Sequence, residues 1–209
     1  MERLAKKLAS NIAVSLGYDV EKEAVVAYGL IAIIQIILTT LLVLLFGFLA
    51  GVPVESLIVC FSVSILRKFS GGAHAGTAEL CTSFSVVYCI LTASISKWLL
   101  VGIYNQILMA FAIIVIFGLS FLAVYKFAPV DSPNKPIRTE QKRIRMRKGS
   151  FLVLSIYFVL ALIGFAITDQ FVIIKSFEIS LLFGVSWQIF TLTYLGAQFI
   201  RKMNQIFIL

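Results

Sequence analysis

Charged residues are scarce in this chain. Only 13% of its 209 residues are charged, whereas 60% are apolar and the mean hydropathy is +1.01. Soluble domains typically contain about 25% charged and about 45–50% apolar residues. The shortage of charge excludes an ordinary soluble domain and predicts an all-α integral membrane protein.

Histidine and cysteine are rare as well. The chain has one histidine, His74, and three cysteines, Cys60, Cys81 and Cys89. An odd number of cysteines in or beside apolar segments is not the pattern of a secreted disulfide framework. One histidine and scattered cysteines also lack the spacing of metal ligands. We therefore expect no disulfide scaffold, no metal site and no cofactor.

A cleavable signal peptide is not evident at the N-terminus. The first 24 residues carry eight charges and lack a small-residue cleavage site after a short apolar core. The first apolar segment is therefore expected to remain in the mature protein. The net charge of +8 comes from short clusters between apolar runs, which predicts contact with the lipid bilayer and not with nucleic acid.

The apolar runs predict one membrane domain over residues 1–209 with about six transmembrane helices, since each crossing needs about 20 residues. An amphipathic segment, residues 1–24, comes first and includes a helix at residues 1–18 that either lies in the membrane interface or packs on the bundle. Its apolar positions are Leu4, Leu8, Ile12 and Leu16. The predicted spans are residues 25–50, 54–66, 78–99, 102–125, 150–168 and 177–199, with a basic loop at residues 126–148.

The second predicted span is short. Residues 54–66 would give about 20 Å of helix, whereas the hydrocarbon core is about 30 Å thick. Gly71 and Gly72 follow, as in a helix that is broken near the membrane surface. Because broken helices also form substrate sites in transporters, a small transporter or channel is an alternative function. A non-enzymatic membrane scaffold is a third.

Lys and Arg are distributed unevenly between alternate loops. With the N-terminus inside, the inner segments hold sixteen of them and the outer segments only Lys97 and Lys175. The positive-inside rule then predicts that both termini are cytoplasmic. It also places residues 67–81 at the cytoplasmic face.

Residues 67–81 read RKFSGGAHAGTAELC and contain both His74 and Cys81. In one unbroken helix these two residues would lie about 10.5 Å apart along the axis, which is too far for a hydrogen bond. We therefore expect a helix to begin near Thr77, with His74 folded back toward Cys81. The positive end of that helix would stabilise a thiolate. The alternative is a solvated histidine and a cysteine that acts as a small apolar residue, and the apolar alternative is favoured for Cys60 and Cys89.

The run RKFSGGAH at residues 67–74, with a cysteine seven positions after the histidine, resembles the signature of the accessory gene regulator B (AgrB) family. The chain length, about six spans, the basic N-terminal segment and the motif at residues 127–137 are also similar. Members are membrane-embedded cysteine endopeptidases of Gram-positive bacteria that process quorum-sensing propeptides. The resemblance implies that His74 is the general base and Cys81 the nucleophile, and that Arg67 and Gly72 are important motif positions.

The resemblance also implies a reaction and a partner. The substrate would be a small amphipathic AgrD-like propeptide in the bacterial cell membrane. Its C-terminal part would be cleaved through a thioester on Cys81, followed by cyclisation to a thiolactone or lactone. A homodimer is expected on the same ground.

Several residues are candidates for supporting roles. Ser70, Glu79 and Asp131 are candidates to orient the imidazole, and Arg67 either binds a carboxylate, supports an oxyanion or extends to the lipid headgroups. The basic loop at residues 126–148, with Lys135, either holds the acidic tail of the propeptide or serves only as a topology signal.

Overall fold

Long helices joined by short turns make up nearly all of the computed structural model, which describes residues 2–73, 75–131 and 139–207. The α4 helix continues as a π-helical turn, Ile95–Leu100, and a 3-10 turn, Val101–Ile103. The α-helices of the described residues are α1 (Glu2–Leu16), α2 (Val20–Leu49), α3 (Pro53–Ser70), α4 (Ala78–Ser94), α5 (Gln106–Phe127), α6 (Glu140–Ile167), α7 (Val172–Phe190) and α8 (Tyr194–Phe207).

Within the described ranges, five helical segments are long and apolar enough to cross a membrane: α2, α4 with its extension, α5, α6 and α7. Large apolar side chains cover their outer faces. On α5, Phe111, Ile114, Leu119 and Leu122 are each at least 60% exposed, as expected for side chains that face lipid. The prediction of an all-α integral membrane protein is confirmed.

The α3 helix is the sixth member of the bundle and lies among α2, α4, α6 and α7. It has 18 residues, which corresponds to about 27 Å. The apolar run at residues 54–66 is therefore only part of this span, because the helix continues through Arg67 and Lys68 to Ser70. A break in the helix was expected near the glycines, and α3 does end at Ser70, directly before Gly71, which has a positive φ of 70°.

Small residues allow α3 to approach its neighbours closely. A Cβ atom on Gly184 of α7 would overlap the hydroxyl of Ser62, and one on Gly47 of α2 would overlap that of Ser56. Around these contacts lie two apolar clusters. The larger includes Leu66, Phe117, Leu154 and Val185, and the smaller includes Val43, Val59, Cys60, Val86 and Cys89.

The α1 helix folds back along the first part of α2. Ala5, Ala9 and Ala13 are buried on the packed side, and the predicted stripe of Leu4, Leu8, Ile12 and Leu16 is exposed. One face of α1 therefore packs on the protein while its leucine stripe remains available to lipid. Asp19 caps α2, which begins five residues before the predicted start at residue 25 because its first turn accommodates charged residues.

Two predicted boundaries need correction. The predicted span at residues 177–199 is interrupted: α7 ends at Phe190, and α8 begins after a turn in which the Thr193 hydroxyl accepts a hydrogen bond from the Gly196 amide, at 3.1 Å. The predicted loop at residues 126–148 is partly helical. Thr139 caps α6, so the basic residues from Lys142 onward lie on its first turns.

The turns between successive helices meet at alternate ends of the bundle. At one end Lys97 Nζ lies 3.5 Å from Glu55 and donates to the Gly51 carbonyl at 2.8 Å. At the same end the Tyr104 hydroxyl donates a hydrogen bond to Glu178 at 2.9 Å. Burial raises the pKa of Tyr104 to about 12, so this hydroxyl stays protonated and remains a donor. Residues 67–81, residues 128–131 and α8 meet at the other end.

Candidate active site

Cys81 lies in the first turns of α4. Thr77 caps this helix: its hydroxyl accepts a hydrogen bond from the Leu80 amide at 3.2 Å, and its carbonyl accepts one from the Cys81 amide at 3.1 Å. The helix start predicted near Thr77 is confirmed, and residues 70–81 do not form one continuous helix. The thiol is partly exposed at the positive end of the α4 dipole.

Arg67 extends from the last turn of α3 toward Cys81. Its Nη2 donates to the carbonyl of Ala73, and its side chain lines the same cleft as Cys81. The Nε atom is buried and has no hydrogen-bond partner among the residues that the structure describes. Arg67 therefore brings to this region a cation and a donor that no described residue occupies.

Cys81 and Arg67 line one cleft, which we call the Cys81 cleft. Ala73 and Ala75, the neighbours of His74 in the sequence, line it as well. His74 itself lies outside the described residues. Arg67 contributes a charged group to the lining of the cleft, and Phe84, Trp187, Ile200 and Met203 contribute an apolar wall.

The glycine loop, residues 71–77, is held from three directions. The Ala73 amide donates to the Thr191 carbonyl at 3.1 Å, and the Gly76 amide donates to Asn204 Oδ1 at 2.9 Å. On the third side the Val130 amide donates to the carbonyl of Ser70, where the loop begins, at 2.9 Å. The turn after α7, the α8 helix and the segment after α5 together position this loop.

Gln188 joins α7 to the start of the loop. Its buried amide donates to Ser70 Oγ at 3.0 Å and to the Gly71 carbonyl at 2.7 Å. Gly72 packs beside it with a φ of 133°, and a Cβ at that position would lie 2.7 Å from Thr191 Oγ1. Sequence reasoning did not identify Gln188 or Thr191 as parts of the site. A glutamine within an apolar span was the available signal for the first of them.

Ser70, Glu79 and Asp131, the other predicted supporting residues that the structure describes, do not line the cleft. The buried Ser70 hydroxyl donates to the Leu66 carbonyl at 2.9 Å and so helps to close the end of α3. Glu79 is exposed in the first turn of α4, and Asp131 is exposed after Val130. Lys135 lies outside the described residues.

Three features around the site complete its surroundings. Cys60 and Cys89 are buried in the same apolar cluster, at 5% and 3% exposure, so their assignment as core residues is confirmed. The aromatic wall is continuous, with the Phe84 and Trp187 ring centroids 5.3 Å apart.

On α6, Arg147 Nε donates to the Ala128 carbonyl at 2.8 Å and thereby links the basic segment to residues 128–131.

The bundle and the Cys81 cleft define an integral membrane protein with a candidate thiol site at one end. The family model of accessory gene regulator B, AgrB, matches residues 1–192, and the chain belongs to this family. Membership supports a role in quorum sensing at the membrane.

Relatives match over nearly the whole length. The putative AgrB-like protein 2 of Clostridium perfringens (strain 13 / Type A) is 37% identical over 206 residues, which cover 98% of this chain and 96% of that protein. A putative AgrB-like protein of C. perfringens (strain SM101 / Type A) is similar to the same extent. A putative AgrB-like protein of Halalkalibacterium halodurans is 26% identical over 210 residues, covering 98% and 93%. No solved structure gives a significant match.

Proposed function

We propose that this protein is a membrane-embedded cysteine endopeptidase. It removes the C-terminal part of a small amphipathic propeptide and converts the remainder into a cyclic thiolactone or lactone signal for quorum sensing. The observation that carries the proposal is the position of Cys81, in an open cleft at the start of α4 and beside Arg67, in a chain of the AgrB family.

The proposed reaction begins with attack of the Cys81 sulfur on the carbonyl carbon of the scissile peptide bond. His74 accepts the thiol proton and then donates it to the leaving amine, so that the C–N bond breaks and a thioester remains on Cys81. A cysteine or serine of the bound peptide next attacks the thioester. Its proton returns to the Cys81 sulfur through His74, and the ring closes as the cyclic product leaves.

Arg67 is proposed to bind the negative charge that develops on the carbonyl oxygen during each attack. Its buried Nε provides a donor that no described residue occupies. A preorganised donor of this kind is effective in a site from which water is excluded. The contact with Ala73 and the place in the cleft support this role over extension to the lipid headgroups.

The remaining predicted residues have proposed roles around this centre. Ser70 and Gly72 give the glycine loop its conformation, and Glu79 or Asp131 orients the His74 imidazole. Lys135 and the basic residues at the start of α6 bind the acidic tail of the propeptide. We further propose that the chain forms one membrane domain and assembles as a homodimer, with the cleft at the cytoplasmic face.

A covalent-adduct experiment tests the proposal. The purified protein is incubated with a panel of small amphipathic propeptides, and mass spectrometry follows cleavage and the mass of the peptide that contains Cys81. We expect cleavage and a thioester on Cys81, and a loss of activity of at least about 100-fold in His74→Ala, since a general base typically contributes that much. Cys81→Ala should form no adduct and no product.

Matched cysteine variants provide the control. Cys60→Ala and Cys89→Ala remove buried thiols of the core and should retain cleavage. Propeptide cleavage by Cys81→Ala would refute the endopeptidase mechanism. Failure of the wild-type protein to modify or cleave any peptide of the panel would count against an enzyme and favour the transporter or scaffold alternatives.

A further inference from the structure

The α8 helix is an unexpected part of the Cys81 cleft. The match to the family model ends at residue 192, two residues before α8 begins at Tyr194. The alignment with a relative that is 37% identical extends further and covers 98% of the chain. Yet α8 supplies Ile200 and Met203 to the cleft, beside Cys81. The segment beyond the family match thus forms part of the wall of the candidate active site.

The turn after α7 directs α8 across the cleft. The Thr191 amide donates to the Trp187 carbonyl, and the Leu192 and Thr193 amides donate to those of Ile189 and Phe190, each at 3.0 Å. Gly196 lies so close to the Phe190 carbonyl that a Cβ would overlap it. The sharp turn therefore depends on a glycine, and it fixes where α8 starts.

Contacts farther along hold α8 against the site. Ile200 is only 7% exposed. The Phe199 ring centroid lies 6.4 Å from that of Phe84 and 6.2 Å from that of Trp187. Asn204 accepts the hydrogen bond from Gly76 in the glycine loop. Because α8 is held by both its aromatic and its polar contacts, its position beside the cleft is fixed.

We propose that α8 is a specificity-determining element. Ile200 and Met203, together with Phe84 and Trp187, form a subsite for an apolar side chain on the acyl side of the cleaved bond. The proposal rests on the proposed function and extends it to the choice of substrate.

The chemistry of the lining residues favours the apolar wall for the acyl side. In the proposed reaction the acyl part remains bound to Cys81, while the charged C-terminal part must leave before the ring can close. An apolar wall retains an apolar acyl part and keeps water from the thioester. Arg67, with its charge and a buried donor that no described residue occupies, is unsuited to contact an apolar side chain.

Alkylation of Cys81 tests the subsite without a natural propeptide. The probes are acetyl-amino-acid chloromethyl ketones that carry Ala, Leu, Phe or Asp, in which the thiolate displaces chloride and forms a thioether. The second-order rate constant of Cys81 modification is measured by peptide mass spectrometry. We expect the Leu and Phe probes to react at least about ten-fold faster than the Ala and Asp probes, the usual discrimination of an apolar pocket.

Variants of α8 provide the comparison. Met203→Ala and Ile200→Ala should reduce the preference for Leu and Phe about ten-fold, and Met203→Leu, which conserves volume, should keep it. Ile206→Ala, which truncates a 68% exposed side chain on the same helix, is the matched control. Since Met203 is only partly buried, its variant tests the subsite even if Ile200→Ala does not fold.

Iodoacetamide separates the two proposals, because it probes the thiol and not the subsite. If it labels Cys81 equally in all variants while the ketone preference is absent or unchanged by Met203→Ala, the subsite is refuted and the endopeptidase proposal stands. If Cys81→Ala still cleaves propeptide, the proposed function fails, whatever the ketones show.

Discussion

The conformation of single residues in the glycine loop decides how the cleft is built. Gly72 has a φ of 133°, a region that side chains with a Cβ rarely occupy, and it packs against Thr191. We expect Gly72→Ala to abolish propeptide cleavage, because relieving the strain, about 1–3 kcal/mol, would displace the loop. Cleavage and Cys81 labelling by iodoacetamide are both measured.

A second glycine provides the control for this substitution. Gly118 lies inside α5 with an ordinary φ, and no atom is within 4 Å of an added Cβ. Gly118→Ala should therefore leave cleavage unchanged and raise the unfolding temperature slightly. Equal activity of the two variants would show that the loop tolerates a side chain at position 72.

For single residues, the sequence alone identifies those that act on neighbouring residues in the chain or that belong to a recognisable motif. Thr77 is a typical N-cap, and the spacing of His74 and Cys81 requires a chain break between them. Gln188, Thr191 and Asn204 were not identified, because each acts on a loop more than 100 positions away in the chain. Only tertiary packing brings such residues to the site.

Among the elements, α3 and α7 form the closest pair, and their contact positions Arg67 relative to Gln188. Gly184→Ala would bring a methyl group into the Ser62 side chain. We expect a loss of about 1–3 kcal/mol in the free energy of unfolding, as is usual for overpacking. Thermal unfolding in detergent would show the loss as a lower midpoint.

Two further variants make this prediction specific. Gly164→Ala on α6 is the matched control, since its nearest neighbour would be at an ordinary 3.6 Å. Ser62→Gly combined with Gly184→Ala should restore part of the stability, because the space is returned on the facing helix. The absence of any such coupling would indicate that α3 and α7 do not pack as described.

The sequence locates helices better than their ends, and the errors have physical causes. The apolar run at residues 177–199 conceals the turn at residues 191–193, because threonine and leucine are compatible with both a span and a turn. The basic run before residue 150 suggested a loop, yet lysine and arginine are good helix formers and Thr139 supplies a cap.

For the whole molecule, the six bundle helices return the chain to the end at which it started, so the Cys81 cleft, α8 and the basic start of α6 share one face. Among the Lys and Arg residues that the structure describes, only Lys97 and Lys175 belong to segments at the opposite end. The positive-inside rule therefore predicts that the cleft faces the cytoplasm.

Cysteine accessibility in intact bacteria tests this orientation. In a background of Cys60→Ala, Cys81→Ala and Cys89→Ala, single cysteines are introduced as Gln170→Cys, in the turn between α6 and α7, and Gln205→Cys, on α8. Both positions are exposed, so burial does not differ between them. A membrane-impermeant maleimide should label position 170 in intact cells and position 205 only after permeabilisation. Labelling of position 205 in intact cells would place the cleft outside and would require the propeptide to cross the membrane before it is cleaved.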